Sequence, residues 1–421
     1  MTDIITDSEE AGFASDRTQS HTLGEAFQAY VNRVRGGDMG ALPAILGLIV
    51  LFIVFGLAND RFLSALNMAN LITQAGAIIV LAMGLVLVLL LGEIDLSAGF
   101  TGGTSAAIMG LAIADKGYPW GVAVLAGVVA GAFIGLLIGL LVSKLGIPSF
   151  VVTLAFFLGL QGILLKLIGD GGSVRVDQEV IRGITKNNVP VMWGWIFAVV
   201  IIAVFAALSL RSHRIKVAKG LQHQPLAVVI ARIAVLAVIL LAVTYVLNLN
   251  RAPNPGFVIE GIPYVLPLVI ALLILLTFVL SRTSYGRHIY AVGGNPEAAR
   301  RAGINVDRIR ISVFVLGSSL AALSGIIAAS NLGKVSTSSG GSNTLLYAVG
   351  AAVIGGTSLF GGKGKALDAV IGGLVIATIA NGLGLLDQAS YINFLVTGGV
   401  LLLAASVDAI TRRRRSATGL G

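Results

Sequence analysis

The sequence predicts an all-α polytopic membrane protein with about twelve transmembrane helices and both termini in the cytoplasm. Three observations predict it. Of 421 residues, 56% are hydrophobic and only 12% charged, with a mean hydropathy of +0.93, whereas a soluble chain is about a quarter charged. Apolar runs of span length recur along nearly the whole chain. There is no cysteine, which removes disulfides, thiolate metal sites and cysteine nucleophiles. Together these exclude a soluble enzyme, a disordered chain and a disulfide-stapled secreted domain. The net charge of +9 does not point to nucleic acid, because basic residues of a membrane protein gather in its cytoplasmic loops.

The first 40 residues form a tail carrying Asp3, Asp7, Glu9 and Glu10 before any apolar run, unlike a signal peptide. Within it Thr22 and Glu25 fit a capping box. Leu23, Phe27, Val31 and Val34 share one helical face, with Arg33 and Arg35 nearby. A helix lying on the membrane surface and an unstructured tail both fit this pattern.

A span needs about 20 residues to cross roughly 30 Å of hydrocarbon. Candidate spans fall at roughly 41–58, 71–91, 98–114, 121–142, 150–168, 191–210, 226–247, 263–280, 311–329, 344–358, 366–386 and 390–407. The run 344–358 is too short to cross straight and reads as re-entrant or broken, which leaves ten spans plus a re-entrant pair as the alternative to twelve. With the N-terminus inside and twelve alternations, twenty of the 29 Lys and Arg fall inside and eight outside, as the positive-inside rule requires. The domains are then a tail over 1–40, a transmembrane body over 41–408 with a cytoplasmic loop at 281–310, and a basic tail over 409–421. No segment is large enough for a soluble catalytic domain.

Four glycines, Gly127, Gly131, Gly135 and Gly139, sit four residues apart on one helix stripe. With no side chains there, another helix can approach closely. The sequence leaves open whether that helix belongs to this chain or to a second copy. Pro148, Pro263 and Pro267 lie near span starts, where a missing N–H does least harm.

Two polar breaks interrupt the spans. Gly92-Glu93-Ile94-Asp95-Leu96-Ser97-Ala98-Gly99 places two carboxylates beside glycines. Charged groups at membrane depth face a cavity or a partner, so Glu93, Asp95 and Ser97 are candidates for the translocation path. A short turn with Asp95 or Ser97 capping the next helix is the alternative. The second break runs from Gly355 to Gly364 and adds Thr357 and Ser358 as path candidates. It is not a phosphate loop, which needs Gly, four residues, then Gly-Lys-Ser/Thr. Thr357 stands five before Gly362, Leu359 stands five before Gly364, and Ala366 follows Lys365. The two breaks hint at an internal duplication.

The loop residues 293–310 encode a short self-terminating helix. Asn295 is a good N-cap and Pro296 a good first residue. Glu297 suits the positive helix start and Arg300 and Arg301 the negative end. Gly303 can take the left-handed terminating conformation. Two turns are marginal alone in water, so this helix docks on something: a partner, its own protein or lipid headgroups. Arg232, inside a span, reads as snorkelling or internally paired. His21, His213, His223 and His288 have no metal spacing, and no cofactor is expected.

The motifs GEIDLSAG (92–99), GGNPEAARRAGINV (293–306) and VIGGTSLFGG (353–362) resemble the permease subunits of bacterial ABC-type sugar importers, the ribose, galactose, arabinose and xylose group. The likeness extends over most of residues 42–408. The extra apolar pair at about 191–247, with the basic loop Arg211–Lys219, resembles the longer xylose-type permeases. The resemblance implies a protein of the bacterial inner membrane with a second permease copy, two cytoplasmic ATPase subunits and a periplasmic sugar-binding protein as partners. It also implies that Asn295, Pro296, Glu297, Ala298, Ala299, Arg300, Arg301 and Gly303 form the coupling helix that seats in the ATPase. Two departures are present. Position 93 is Glu where the family often has Gly, and no acid lies near Tyr347. A proton-coupled carrier titrating Glu93 and Asp95, or an importer permease for a non-sugar solute, are the rival readings.

Overall fold

The computed structural model describes residues 24, 28, 40–221, 223–254 and 256–417. The surface helix expected over 22–35 lies outside the described residues, apart from the helical Gly24 and Gln28.

The chain is a helical membrane body, and among the described residues its two-residue and three-residue strands lie at one end. In order the helices are α1 Leu42–Ala58, α2 Ala65–Leu90, α3 Ala98–Ala114, α4 Trp120–Lys144, α5 Ser149–Ile168 and α6 Glu179–Lys186. Then come α7 Val191–Ala218, α8 Leu226–Asn248, α9 Val265–Arg282, α10 Ser284–Gly294 and α11 Pro296–Arg301. The last four are α12 Val306–Leu332, α13 Ser342–Ile354, α14 Ala366–Leu385 and α15 Ser390–Ala417. Among the described residues eight of these are long and apolar enough to cross a bilayer: α2, α4, α5, α7, α8, α9, α12 and α14. The other four apolar runs form shorter apolar helices in α1, α3, α13 and α15. At 1.5 Å per residue the 13 residues of α13 reach only about 20 Å, short of a full crossing. The run 390–407 and much of the basic tail share one helix, α15.

α12 is the hub. It packs against α4, α2 and α3, while α2 is enclosed by α12, α13 and α14. Glycine makes this possible. A β-carbon on Gly127 would sit 2.8 Å from Ser105 O, and one on Gly131 2.7 Å from Ala322 Cβ. On Gly135 it would strike Phe314 O, and on Gly139 it would sit 2.8 Å from Ile311 Cα. The stripe on α4 therefore lies against α12 and α3 of the same chain. Lipid is as apolar as leucine, so such backbone-close dispersion contact holds helices together where the hydrophobic effect cannot. Gly135→Leu should lower stability by about 3 kcal/mol through overpacking, read as a drop in the thermal aggregation midpoint in detergent. Gly159→Leu on α5, where nothing lies within 4 Å, should leave that midpoint unchanged.

The hairpin α7–α8 stands apart. In their most apolar windows none of α8 is buried, against 72% of α2. It is attached chiefly through the C-terminal end of α8. There Thr244 and Leu247 are buried, and the Arg251 guanidinium bonds Leu247 O, Asn188 Oδ1 and Gly261 O.

The two ends of the body sort the loops. At one end Lys144 pairs with Asp307 at 2.9 Å, and the breaks at 92 and 361 meet the segment at 293. At the other end β1 (Ser173–Arg175) pairs antiparallel with β4 (Lys334–Ser336), and β2 (Asn188–Val189) with β3 (Ile262–Pro263). Asn67 and Asn381 exchange side-chain bonds of 2.8 and 3.0 Å near that same end. The Lys144–Asp307 pair and the two strand pairs each join segments that the charge count assigns to one side.

Candidate functional site

The first break begins where α2 stops. Gly92 N–H bonds Leu89 O and Glu93 N–H bonds Val88 O, and the chain leaves the helix at Gly92. Asp95 is buried, and its Oδ1 accepts from Ser97 N at 2.9 Å and from Ser97 Oγ at 2.6 Å. Asp95, not Ser97, thus organises the start of α3. Ile94 is held by α5: its N–H donates to Ser149 Oγ, and its carbonyl accepts from Thr153 Oγ1, each at 3.2 Å. Glu93 Oε1 lies 3.1 Å from Arg310 Nε, with side chains 14% and 25% exposed. That Nε makes no directed hydrogen bond, so the pair is held by charge rather than by hydrogen-bond geometry. The charge that departs from the family pattern therefore has a counter-charge from α12. A double-mutant cycle of Glu93→Gln with Arg310→Gln should show a coupling of about 1 kcal/mol.

The second break has a similar plan. Asp368, buried in the first turn of α14, accepts from Lys365 N–H at 2.8 Å and Thr357 Oγ1 at 3.1 Å. Ser358 N–H donates to Lys363 O at 2.9 Å, and Ser358 Oγ accepts from Phe360 N–H at 3.2 Å. A buried carboxylate and a nearby hydroxyl thus order both breaks.

The breaks touch, and the end of α10 lies between them. Gly362 N–H donates to Leu90 O at 2.8 Å. A β-carbon on Gly361 would sit 2.7 Å from Gly293 O and 2.9 Å from Gly92 N. One on Gly293 would land on Leu90 O, and one on Gly362 would sit 3.2 Å from Gly294 Cα. Three backbones meet here at distances that exclude side chains. Tyr290 closes the junction by donating to Gly364 O at 2.7 Å. Burial, and then the Asp368 carboxylate, raise the Tyr290 pKa, which keeps its hydroxyl a donor. So the three motifs of the sequence, far apart along the chain, converge on one point.

α11 leaves directly from that point. Asn295 Oδ1 caps it by accepting Ala298 N–H at 2.9 Å, with Pro296 as its first residue. Gly303 turns the chain out at φ +83, and Ile304 N–H returns to Ala299 O. Ala299 is its buried residue; Glu297, Ala298, Arg300 and Arg301 are exposed. Glu297 and Arg300 pair at 2.7 Å but are more than half exposed, so the pair adds little to stability. What α11 offers is a rigid, exposed, basic-ended surface on the same base as both breaks.

Three features escaped the sequence reading. α10 is a second helix in the polar loop, with Gly286, Ile289 and Val292 buried at helical spacing and Thr283 as its cap. Arg310 as partner of Glu93 had no local signal. The Ser/Thr/Gly-rich stretch after Val335 lies between two candidate spans and carries no local signal of its depth. Arg232 is exposed on α8. The His213 and His223 rings stand 5.4 Å apart, and among the described residues no group of three His, Cys, Asp or Glu is placed to hold a metal.

The family described as "Branched-chain amino acid transport system / permease component" matches residues 67–405, which takes in both breaks, the junction and α11. The chain belongs to this family. It is 35% identical to the "Xylose transport system permease protein XylH" of Escherichia coli K12 over 371 residues, covering 88% of this chain and 92% of that one. It is equally similar to the protein of the same name from Haemophilus influenzae, covering 88% and 96%. The "Ribose import permease protein RbsC" of Bacillus subtilis is 32% identical, with 90% and 95% covered. No solved structure matches the chain. The chain is thus a permease of the bacterial inner membrane, in keeping with its eight long apolar helices.

Proposed function

We propose that this chain is the membrane subunit of an ATP-driven importer of a monosaccharide, xylose or a close relative, working as a homodimer. Two separate ATPase subunits bind from the cytoplasm and a periplasmic sugar-binding protein delivers the solute. The chain crosses the membrane twelve times with both termini inside. The pairing of loops at the two ends of the body supports this alternation, and the charge bias makes the α11 end cytoplasmic.

The observation that carries the reading is the glycine junction. A partner that grips α11 through Asn295–Arg301 and Gly303 moves a rod whose base is packed against both breaks. Closure of the ATPase dimer then shifts the starts of α3 and α14 together, and the path alternates between the two sides. Glu93, Asp95, Ser97, Thr357 and Ser358 form the polar floor of that path, where the solute leaves. The names of the xylose and ribose relatives favour a sugar; the family description favours a branched-chain amino acid as the second reading. Against a carrier driven by protons alone stands the pairing of Glu93 with Arg310.

The test is reconstitution in lipid with the ATPase and binding protein encoded alongside. Sugar with its binding protein should stimulate ATP hydrolysis and drive uptake. Uptake by the chain alone under a pH gradient would overturn the proposal, and stimulation by leucine but no sugar would favour the second reading.

A further inference from the structure

Phe100, at the start of α3, packs its ring 4.9 Å from that of Phe157. Phe157 lies near the middle of the 20 residues of α5, about 12 Å from its beginning. α3 therefore begins near the middle of the membrane body. Thr104 Oγ1 bonds Leu160 O on the next turns of both helices, in the same register.

Against this first part of α3 lies backbone that is not helical. Gly340 packs on Gly99, with its β-position 3.1 Å from Gly103 N, and Ser339 O packs on Gly103. From Ser336 to Gly341 the chain makes tight turns, Ser339 N–H to Ser336 O and Gly341 N–H to Ser338 O, before α13 starts. Irregular backbone at this depth survives only when buried in protein or beside water. Part of it is not buried. Ser338 is exposed and Thr337 partly so, and in the first turn of α13 that follows, Asn343 is exposed and Thr344 partly so. The side chains of Thr337, Asn343 and Thr344 make no hydrogen bond within the described residues. An unpaired carboxamide cannot face lipid at low cost.

Residues 336–344 contain Ser336, Thr337, Ser338, Ser339, Ser342, Asn343 and Thr344 and no ionisable side chain. Neutral donors and acceptors in this density suit a neutral polyhydroxylated solute, whereas a zwitterion or an ion calls for charged partners. We propose that this segment is the wall of the solute path at mid-membrane, contacting a sugar through the hydroxyl of Ser338 and the amide of Asn343. This deepens the transport reading and rests on it.

The chain has no cysteine, so Ser338→Cys or Asn343→Cys supplies its only thiol. Each variant, reconstituted with the ATPase and binding protein, is treated with a membrane-impermeant trimethylammonium methanethiosulfonate. The proposal expects reaction at both positions. It expects D-xylose or D-ribose with binding protein to slow the reaction about threefold or more, and labelling to cut uptake about tenfold, as an obstruction in a pore would. No reaction with the charged reagent, with lipid-soluble maleimide alone entering, would overturn it. So would an oxidant-induced disulfide between copies that leaves no accessible thiol, which would make the segment a dimer contact. Protection by L-leucine and by neither sugar would overturn the solute class. ATP-driven uptake by the unlabelled parent in the same vesicles tests the transport reading separately. Because two positions are probed, misfolding of one variant leaves the other to decide.

Discussion

Reversing the two exposed charges of α11, Arg300→Glu with Arg301→Glu, should abolish ATP-driven uptake in a chain that still folds and inserts. Neither arginine supports the fold. Among the described residues Arg301 has no ion-pair partner, and Arg300 pairs with a Glu297 that is 69% exposed. Losing that contact and placing acids at the helix C-terminus costs roughly 1 kcal/mol. The effect on docking is larger by far. A surface built to receive two guanidinium groups would meet two carboxylates, and like-charge contact costs several kcal/mol at an interface. Co-purification with the ATPase should therefore fall about a hundredfold, while the thermal midpoint of the permease alone shifts by no more than about 2 °C. Retained uptake would mean that α11 is not where the ATPase sits.

The second large effect is expected one residue from the end of α10. Gly293→Ala places a methyl group on Leu90 O, which already accepts Gly362 N–H. Every atom that would have to yield is backbone, so the junction opens instead of adjusting. Overpacking of this kind costs about 3 kcal/mol. In a chain that survives, α11 would be detached from the two breaks. ATP hydrolysis should then continue in the reconstituted complex while uptake falls about tenfold. The neighbouring Gly294→Ala is the control, because nothing lies within 4 Å of its β-position. If the two variants behave alike, the junction does not transmit motion.

The legible parts of this fold were local ones. α11 could be read residue by residue because a cap, a proline and a terminating glycine act within one or two turns. The apolar runs were legible because lipid demands length and hydropathy of any crossing segment. The stripe on α4 was legible as a period of four, though its partner α12 was not. What stayed hidden was contact between distant segments. Nothing near Glu93 announces Arg310, and nothing at Gly293 announces Leu90. The polar stretch 336–344 was hidden for another reason. Hydropathy registers polarity but not depth, so a segment wetted by an internal path looks like an outside loop. Asp95 and Ser97 were legible as either cap or path; the bonds of Asp95 Oδ1 to Ser97 close a turn just before α3, Ser97 makes no side-chain cap bond, and the path role stays with the proposal.

The most direct measurement places a thiol at position 300 of this cysteine-free chain. Arg300→Cys, labelled with a short maleimide–benzophenone that needs no second thiol and assembled with the ATPase in lipid, is photo-activated in the apo, ATP-bound and ADP-bound states. The account predicts a permease–ATPase cross-link, formed from the cytoplasmic side. A thiol reached only from the periplasmic side, or no cross-link in any nucleotide state, would contradict it.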